Sequence, residues 1–470
     1  MLLLSLLPAA LVAQQVNVAS TAPQRLRVTT TNEEAARQFW AGLSDARNVF
    51  FSRSAGHLDR AIALDGNLGM ARVIHAWAAP DLTTDQRKAE VDRGIASLSS
   101  ASTGELVTAL GIRELIAGNR PQARELFRTA SVLLPGDPNI ASFTALAEDG
   151  RTAAIQASRA VIERFPDDAP SYNSLAYNLW ASGNRAGAFT AVRKYVELAP
   201  NEPNSHDSYA ELLQWEGRYT DALAHYGRAA QLDSSFTEAY LGSAEVLQLS
   251  GRGVDARRQI QLAINHSPSR VAAVGYTRNL ARSFLMDGFV KEGMDQFANA
   301  LRDAQALNRP ALVAQINQDM AFADAQSGRG TSIAAYLARA AEARGNDDPM
   351  QVEMTAAAYA VGGDLVVARQ ATQKFAALSQ PDNNQYATRV SVLRALVSLR
   401  ENKPQQALTQ LAGAPLDDSW VRTLTAESYV AMGNLADARA LKNQVLSDPQ
   451  LNFDDGYNIS ARIRAARIKA

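Results

Sequence analysis

Residues 171–200 read SYNSLAYNLWASGNRAGAFTAVRKYVELAP, and the chain repeats their pattern twice at intervals of 34 residues. The copies are SHDSYAELLQWEGRYTDALAHYGRAAQLDS (205–234) and AYLGSAEVLQLSGRGVDARRQIQLAINHSP (239–268). Three kinds of position keep the interval: Gly183, Gly217 and Gly251; Ala188, Ala222 and Ala256; Pro200, Ser234 and Pro268. A fixed period of this length is typical of a repeat array, in which each unit buries its apolar face against its neighbour.

Each copy has two amphipathic halves, one on either side of its glycine. A related copy begins at Glu105. In the second half, the positions four and seven residues after the alanine lie on one helical face: Phe127 and Ala130, Val192 and Tyr195, Tyr226 and Ala229, Ile260 and Ala263. The first half carries a small residue where two helices approach closely: Gly111, Ala176, Ala210 and Ala244. Because glycine permits a reversal of the chain, the pattern predicts a helix–turn–helix unit.

These residues resemble the tetratricopeptide repeat, whose 34-residue unit has the form W-x2-L-G-x2-Y, then A-x3-F, then P. The first aromatic position is kept as Tyr172 and Tyr240, whereas Val107 and His206 replace it in the other two copies. The resemblance implies an all-α, right-handed superhelical solenoid of antiparallel helix pairs. Weaker copies on both sides raise the expected number to roughly ten or eleven units.

The repeat pattern is clearer in some parts of the chain than in others, and this variation divides the chain into successive regions. We expect a signal peptide at 1–13 or reaching to about residue 20, a flexible segment at 14–30, diverged helical repeats at 31–103, a regular block at 104–270, degenerate repeats at 271–450 and a C-terminal capping helix at 451–470. The last ten residues, ARIRAARIKA, carry four positive charges. We interpret them as the solvated face of an end helix, with contact to an acidic partner or anionic lipid as the alternative.

The first residues, MLLLSLLPAALVAQQ, have the length of the apolar core of a signal peptide and are too short to span a membrane. No Lys or Arg precedes the apolar stretch, and Leu11 lies where cleavage after Ala13 would favour a small residue. We expect export to the bacterial periplasm or envelope. An uncleaved anchor and a non-secretory apolar start are the alternatives. No later stretch approaches the length of a membrane span, so none is expected once the signal is removed.

The bulk composition excludes several classes of function. The net charge of −1 gives no basic field for nucleic acid. The absence of cysteine excludes disulfides, thiolate metal sites and cysteine nucleophiles. The five histidines show no HExxH motif and no clustered metal-ligand spacing. We therefore predict a protein without catalytic residues, metal or cofactor. His206 is expected to pack in the repeat, and His225 to lie at a solvated edge.

The resemblance also implies where a partner binds, because the first helix of each tetratricopeptide unit lines a concave groove. The groove positions of this chain are Asn173, Tyr177, Trp180, Asp207, Glu211, Gln214, Glu245 and Gln248. Aromatic and amide side chains in such a groove suit a peptide backbone. For Tyr177 and Trp180, packing against the neighbouring unit is an equal alternative.

The family's cationic clamp for a C-terminal carboxylate is missing, since Asn173, Ser174, Tyr177, Ser208 and Glu211 occupy the corresponding positions. Carboxylates in the groove would repel such a terminus. We therefore predict a non-enzymatic scaffold that binds a neutral or basic extended segment of a protein or peptide. One alternative is binding of a glycan or small ligand, including an enzymatic role. The other is self-association as a structural spacer.

Overall fold

The computed structural model describes residues 25–328, 330–378 and 384–470, and within these ranges every regular element is a helix. The predicted signal peptide, residues 1–13 or 1–20, lies outside the described residues, as does most of the predicted flexible segment. Residues 25–30 of that segment are extended. The N–H of Leu26 donates to Asp137 at 2.8 Å, and Thr29 bonds Glu105 through its N–H and its hydroxyl.

The described ranges contain 25 helices. They are α1 (Glu33–Arg47), α2 (Phe51–Leu64), α3 (Gly69–Ala78), α4 (Thr84–Ala96), α5 (Thr103–Ile116), α6 (Arg120–Leu133), α7 (Pro138–Leu146), α8 (Arg151–Arg164), α9 (Ala169–Ala181), α10 (Arg185–Leu198), α11 (Pro203–Trp215), α12 (Tyr219–Leu232), α13 (Glu238–Leu249), α14 (Gly253–Asn265), α15 (Arg270–Met286), α16 (Val290–Ala306), α17 (Pro310–Gln326), α18 (Ile333–Arg344), α19 (Pro349–Gly362), α20 (Leu365–Leu378), α21 (Asn384–Arg400), α22 (Pro404–Leu411), α23 (Ser419–Ala431), α24 (Leu435–Leu446) and α25 (Gly456–Ala466).

The helices follow one another in twelve consecutive pairs, α1–α2 to α23–α24, with α25 left over at the end of the described chain. The predicted all-α fold of stacked helix pairs is confirmed. The described ranges hold one or two more pairs than the expected ten or eleven, and the diverged region 31–103 contains two of them, α1–α2 and α3–α4.

The turn inside a pair uses a residue in the left-handed region, as the central glycines predict. Gly183 and Gly217 have φ of 83° and 77°. In the turn between α21 and α22 the same place is taken by Asn402, whose φ is 59°. Asparagine tolerates this conformation better than other side chains do, so the degenerate unit keeps its chain reversal without a glycine.

Close packing within each pair explains the small residues of the first helices. A Cβ added to Gly111 on α5 would lie 2.6 Å from the ring of Phe127 on α6. Ala210 and Ala244 have no exposed surface, and neither does Ile260 on the second helix of its pair. The large side chain of one helix therefore fills the space that the small residue of its partner leaves open.

The chain forms two compact units, Met1–Lys194, of which residues 25–194 are described, and Tyr195–Ala470. In the first unit, Phe39, Leu58 and Phe127 belong to one buried apolar cluster. In the second unit, one cluster combines residues of the helices α13–α17 with Leu451 and Phe453 near the C-terminus. No helix among the described residues is both long enough and apolar enough to cross a membrane.

Candidate functional site

The C-terminal strap, which we define as residues 449–466, lies on the first helices of the Tyr195–Ala470 unit. It consists of a short extended stretch, residues 450–452, which contains neither bend nor turn, followed by a turn at 452–455 and then by α25. Burial alternates over four positions, with Leu451 and Phe453 buried and Asn452 and Asp454 exposed. Leu451 and Phe453 therefore face the helices while the residues between and after them face outward.

Side chains from three successive first helices bond the backbone of the strap. On α11, Gln214 donates to the carbonyl oxygens of Pro449 and Leu451, each at 3.3 Å. On α13, Glu245 accepts the N–H of Phe453 at 3.0 Å. On α15, Arg282 donates to the carbonyl oxygen of Phe453 at 2.6 Å. The groove side chains thus satisfy backbone polar groups of the strap that lie outside any helix or sheet.

Apolar side chains anchor the strap between these bonds. Leu451 is 2% exposed, Phe453 1% and Ile459 2%. All three belong to the cluster that contains Phe297 of α16 and Ile316 of α17. Burial of side chains of this size stabilises the docked strap by about 1.5–3 kcal/mol each, as an upper estimate.

The helical part of the strap is held by the later first helices. Gln326 of α17 donates to the carbonyl oxygen of Ser460, and the Trp420 indole of α23 donates to that of Tyr457, both at 3.0 Å. Arg462 is 5% exposed and donates to the carbonyl oxygens of Leu446 and Asp448. The prediction of a solvated face is therefore wrong for Arg462, because its guanidinium closes the turn that leads into the strap.

Two of the predicted groove residues contact the strap directly, namely Gln214 and Glu245. Gln214 is fully buried, and its amide also accepts the hydroxyl of Tyr226 at 2.9 Å and lies 3.4 Å from Glu245. Gln248 instead links helices, since it donates to Asp287 at 2.7 Å and accepts from Ser283 at 2.8 Å. Gln248 therefore helps to set the spacing between α13 and α15, two of the helices that carry the groove.

Carboxylates gather where α11 and α13 approach the strap. Burial first, and then the charge of the nearby Glu211, raise the pKa of Glu245 to about 8, although the hydrogen bond from the N–H of Phe453 lowers it. Burial also raises the pKa of Asp207 well above its usual range, followed by the charges of Glu211, Glu238 and Glu245. The Oδ1 atom of Asp207 is buried and accepts no hydrogen bond from the described residues. This part of the groove therefore disfavours a further negative charge.

The three remaining predicted residues belong to the other compact unit. Trp180 is 8% exposed and packs edge-on against Phe189, with the Arg185 guanidinium 4.2 Å from its ring centroid. Asn173 is buried, and its Oδ1 atom accepts no hydrogen bond from the described residues. Tyr177 is partly exposed. These contacts of Trp180 lie within its own pair α9–α10, so neither packing against the neighbouring unit nor a binding role is tested for these three residues.

Beside the strap lies a cavity of about 440 Å³. Its wall is mostly apolar and aromatic and includes Phe322, Met350, Met354, Phe375, Tyr386 and Trp420, together with Tyr457, Ile459 and Ile463 of the strap. The cations in its wall are bonded to carboxylates: Arg278 and Arg282 to Asp319, and Arg389 to Glu353. Trp180 does not line it. Among the described residues, no group of three or more His, Cys, Asp or Glu is placed to hold a metal ion.

The extended stretch of the strap is the functional feature that sequence reasoning missed. Gln214 and Leu451 are 237 positions apart in the chain, so no local pattern links them. One signal was present: the alternation Leu451-Asn452-Phe453-Asp454, which directly follows Pro449 and Gln450. It is typical of a segment with one buried face.

Paired helices, a left-handed turn inside every pair except α3–α4 and small residues at the contacts together make up a helical-repeat fold, which is the fold that the tetratricopeptide resemblance implies. No protein-family model and no curated protein sequence matches the chain. Solved structures that resemble part of it include MamA, with a TM-score of 0.29 and 13% identity over 33% of this chain and 94% of that one. Another is TTC0263, a thermophilic TPR protein of Thermus thermophilus, with a TM-score of 0.33 and 19% identity over 37% and 97% of the two chains.

Proposed function

We propose that the protein is a non-enzymatic interaction scaffold whose Tyr195–Ala470 unit binds an extended segment of a partner protein along its first helices. The observation that carries this proposal is the strap. It lies in the groove with its backbone bonded by Gln214, Glu245 and Arg282. Bonds to backbone atoms tolerate many sequences, whereas apolar sites for alternate side chains provide selectivity.

The partner segment that fits this groove is neutral or basic. Glu245 on α13 bonds the strap, Glu211 on α11 raises the pKa of Glu245 through its charge, and both residues raise the pKa of Asp207. An acidic segment or a C-terminal carboxylate would add to this repulsion.

A trans-binding experiment tests the groove with a defined probe. The probe is a fluorescent synthetic peptide of residues 448–463, DPQLNFDDGYNISARI. The receptor is the full chain with Leu451→Ala and Phe453→Ala, which weakens the hold on its own strap. We expect saturable binding, and binding at least about tenfold weaker for a peptide with Asp at both apolar positions.

Circular dichroism of the receptor has to show the helix content of the wild type. A folded receptor that binds both peptides equally, or neither of them, would contradict the proposed groove. The matched receptor control is Leu416→Ala with Val366→Ala, two exposed apolar residues of the same unit that are 66% and 60% exposed.

The proposal includes export to the bacterial periplasm or envelope. Its support is the apolar stretch of residues 2–13 and its length. Expression with a C-terminal tag, fractionation and N-terminal sequencing of the product test this part. Recovery from the cytoplasmic fraction with an uncleaved N-terminus would contradict it.

A second candidate function, binding of a small ligand, is favoured by the cavity beside the strap. Its volume of about 440 Å³ falls within the usual size of small-molecule sites. Because the cations in its wall are paired, we expect an uncharged, largely apolar ligand. Native mass spectrometry of the purified chain tests this candidate, and a spectrum free of any adduct from the source cells counts against it.

A further inference from the structure

We propose that the C-terminal strap is a built-in competitor, which must leave the groove before a partner segment of similar chemistry can bind. This inference rests on the proposed function and concerns the regulation of the same site. The strap already makes every type of contact that we assign to a partner: bonds from three first helices and buried apolar side chains at alternate positions. A partner and the strap therefore cannot occupy this stretch of the groove together.

The connection to α24 allows the strap to leave without unfolding a helix pair. Helix α24 ends at Leu446, and Leu446 and Ser447 are exposed. Gln450 is exposed as well, so the first buried side chain of the extended stretch is Leu451. Segments with few buried contacts open at lower free energy than the core does. Opening at this link breaks the contacts of the strap, including those of Ala465 on α25 with Ala426 and Ala438, while the direct contacts between α23 and α24 remain.

The docked strap is also an imperfect ligand, since docking leaves polar groups poorly satisfied. The Oδ1 atom of Asn279 is buried without a hydrogen bond from the described residues, while its amide nitrogen donates to Asp454 at 2.9 Å. Asp454 in turn raises the pKa of Glu245 through its charge, after burial and Glu211. An unsatisfied buried acceptor and crowded carboxylates both oppose docking.

The strap also fills the first-helix face incompletely. After Phe453 the chain turns into α25, with Asp455 capping the helix by accepting the N–H of Asn458. The cavity of about 440 Å³ remains between α25 and the wall formed by Phe322, Met354 and Trp420. Unfilled apolar space forfeits contacts that a better-fitting side chain would make. We infer that the favoured partner segment has apolar residues at alternate positions and carries a bulky apolar or aromatic group that reaches this wall.

Comparison of wild-type and strap-weakened chains tests the inference. If only the chain with an undocked strap can bind the peptide, the apparent affinity for the peptide is reduced in proportion to the fraction of chains in that state. We therefore expect the 448–463 peptide to bind the Leu451→Ala/Phe453→Ala chain at least about tenfold more tightly than the wild type. The control chain with Leu416→Ala and Val366→Ala should match the wild type.

The outcomes separate the two proposals. Equal affinity for wild-type and strap-weakened chains overturns the competitor and leaves the groove function standing. Binding to neither chain overturns the groove function itself.

Hydrogen exchange on the unaltered chain provides a second, independent test, which does not depend on the folding of a variant. Saturating peptide should increase exchange in residues 451–463 while exchange within α11 to α14 stays the same or slows. If the peptide binds and the strap keeps its full protection, the strap does not compete and the inference is wrong.

Discussion

At the scale of single residues, Glu245 couples docking of the strap to pH. Its ordinary pKa of 4.5 is raised to about 8 by burial, and then by Glu211, against the hydrogen bond from Phe453. Glu211 on α11 and Asp454 on the strap are the charges that raise this pKa, while Asp207 on α11 and Glu238 on α13 face the same cluster with their own pKa values raised by burial. A carboxyl with a raised pKa contributes stability that is complete below its ordinary pKa and is lost as pH rises through the raised value. The docked strap should therefore be most stable at about pH 4.5 and weaken toward pH 8.

Replacement of Glu245 by Gln tests this coupling. An uncharged amide still offers an oxygen to the N–H of Phe453, so we expect tighter docking at pH 8 and a flatter pH dependence. Hydrogen exchange of residues 449–463 measures the stability of docking. Comparison of variant and wild type at the same pH cancels the pH dependence of the intrinsic exchange rate. The control is Glu342→Gln, an exposed carboxyl on α18. A pH profile unchanged by Glu245→Gln would show that another group controls docking.

Two helical glycines of the groove unit provide a matched test of packing. A Cβ on Gly242 would collide with the ring of Tyr226, whose hydroxyl donates to Gln214, whereas a Cβ on Gly227 of α12 would meet nothing within 4 Å. Alanine at position 242 should cost about 1–3 kcal/mol because it overpacks the contact. Alanine at position 227 should stabilise by about 0.5–1 kcal/mol through helix propensity. Urea unfolding of both variants measures these free energies, and equal effects would contradict the packing account.

The sequence predicts a residue's place in the repeat better than its surroundings. Gln214 and Glu245 were assigned to the groove from their register, and they do contact an extended segment. The identity of that segment could not be predicted, because their partners lie more than 200 positions away in the chain. His225 was expected at a solvated edge, but it is half-buried, and its Nδ1 lies 3.1 Å from that of His206. The sequence pattern places His225 next to a core tyrosine, but it does not indicate that His206 stacks on His225.

At the scale of elements, the strap should behave as a separately opening unit. Phe453 and Phe297 are both 1% exposed and belong to the same apolar cluster. Truncation of a buried Phe to Ala ordinarily costs about 3–5 kcal/mol, and we expect that loss for Phe297→Ala on α16. For Phe453→Ala the loss in global stability cannot exceed the free energy of docking, because the strap can undock while the helix pairs stay folded.

Chemical denaturation of the two Phe→Ala variants therefore distinguishes a strap from a core element. We expect Phe453→Ala to shift the unfolding midpoint less than Phe297→Ala does, and to increase hydrogen exchange only within 449–463. A loss as large as that of Phe297→Ala, with exchange increased throughout α13–α17, would show that the strap unfolds only with the rest of the unit.

The element that the sequence describes least well is the same strap. Residues 451–470 were expected to form a capping helix, whereas the structure has a short extended stretch, a turn at 452–455 and a helix only from Gly456. Helix–turn–helix units can be identified because many positions repeat with the period. The extended stretch offers only four alternating residues, and its conformation depends on the groove that binds it, which is a tertiary effect.

At the scale of the whole molecule, the 34-residue period accounts for most of the described architecture. Regular and degenerate pairs alike form a helix–turn–helix, since a left-handed turn and a small contact residue can be supplied in several ways, as Asn402 shows. The period does not predict which segment binds to the groove formed by the first helices. In the Tyr195–Ala470 unit that surface is covered by the chain's own C-terminus, so the accessible groove depends on whether the strap is docked.

The charge of this surface leads to a prediction about partner choice. Positions 450 and 452 of the strap are exposed and make no use of the apolar sites, although the Asn452 side chain accepts the N–H of Asp454 at 2.8 Å. Lysine and glutamate both replace this asparagine, so the two altered 448–463 peptides are compared with each other. With lysine at both positions, the peptide should bind the Leu451→Ala/Phe453→Ala chain several-fold more tightly at low ionic strength and at about pH 9, where the Glu245 carboxyl is ionised above its raised pKa and attracts it. With glutamate at both positions it should bind more weakly. Salt screens exposed charges, so both differences should shrink at about 0.5 M salt, and fluorescence anisotropy at two salt concentrations measures them. Equal affinity of the two peptides at low salt would mean that the groove carboxylates are neutral or already compensated, and the preference for a basic partner would be wrong.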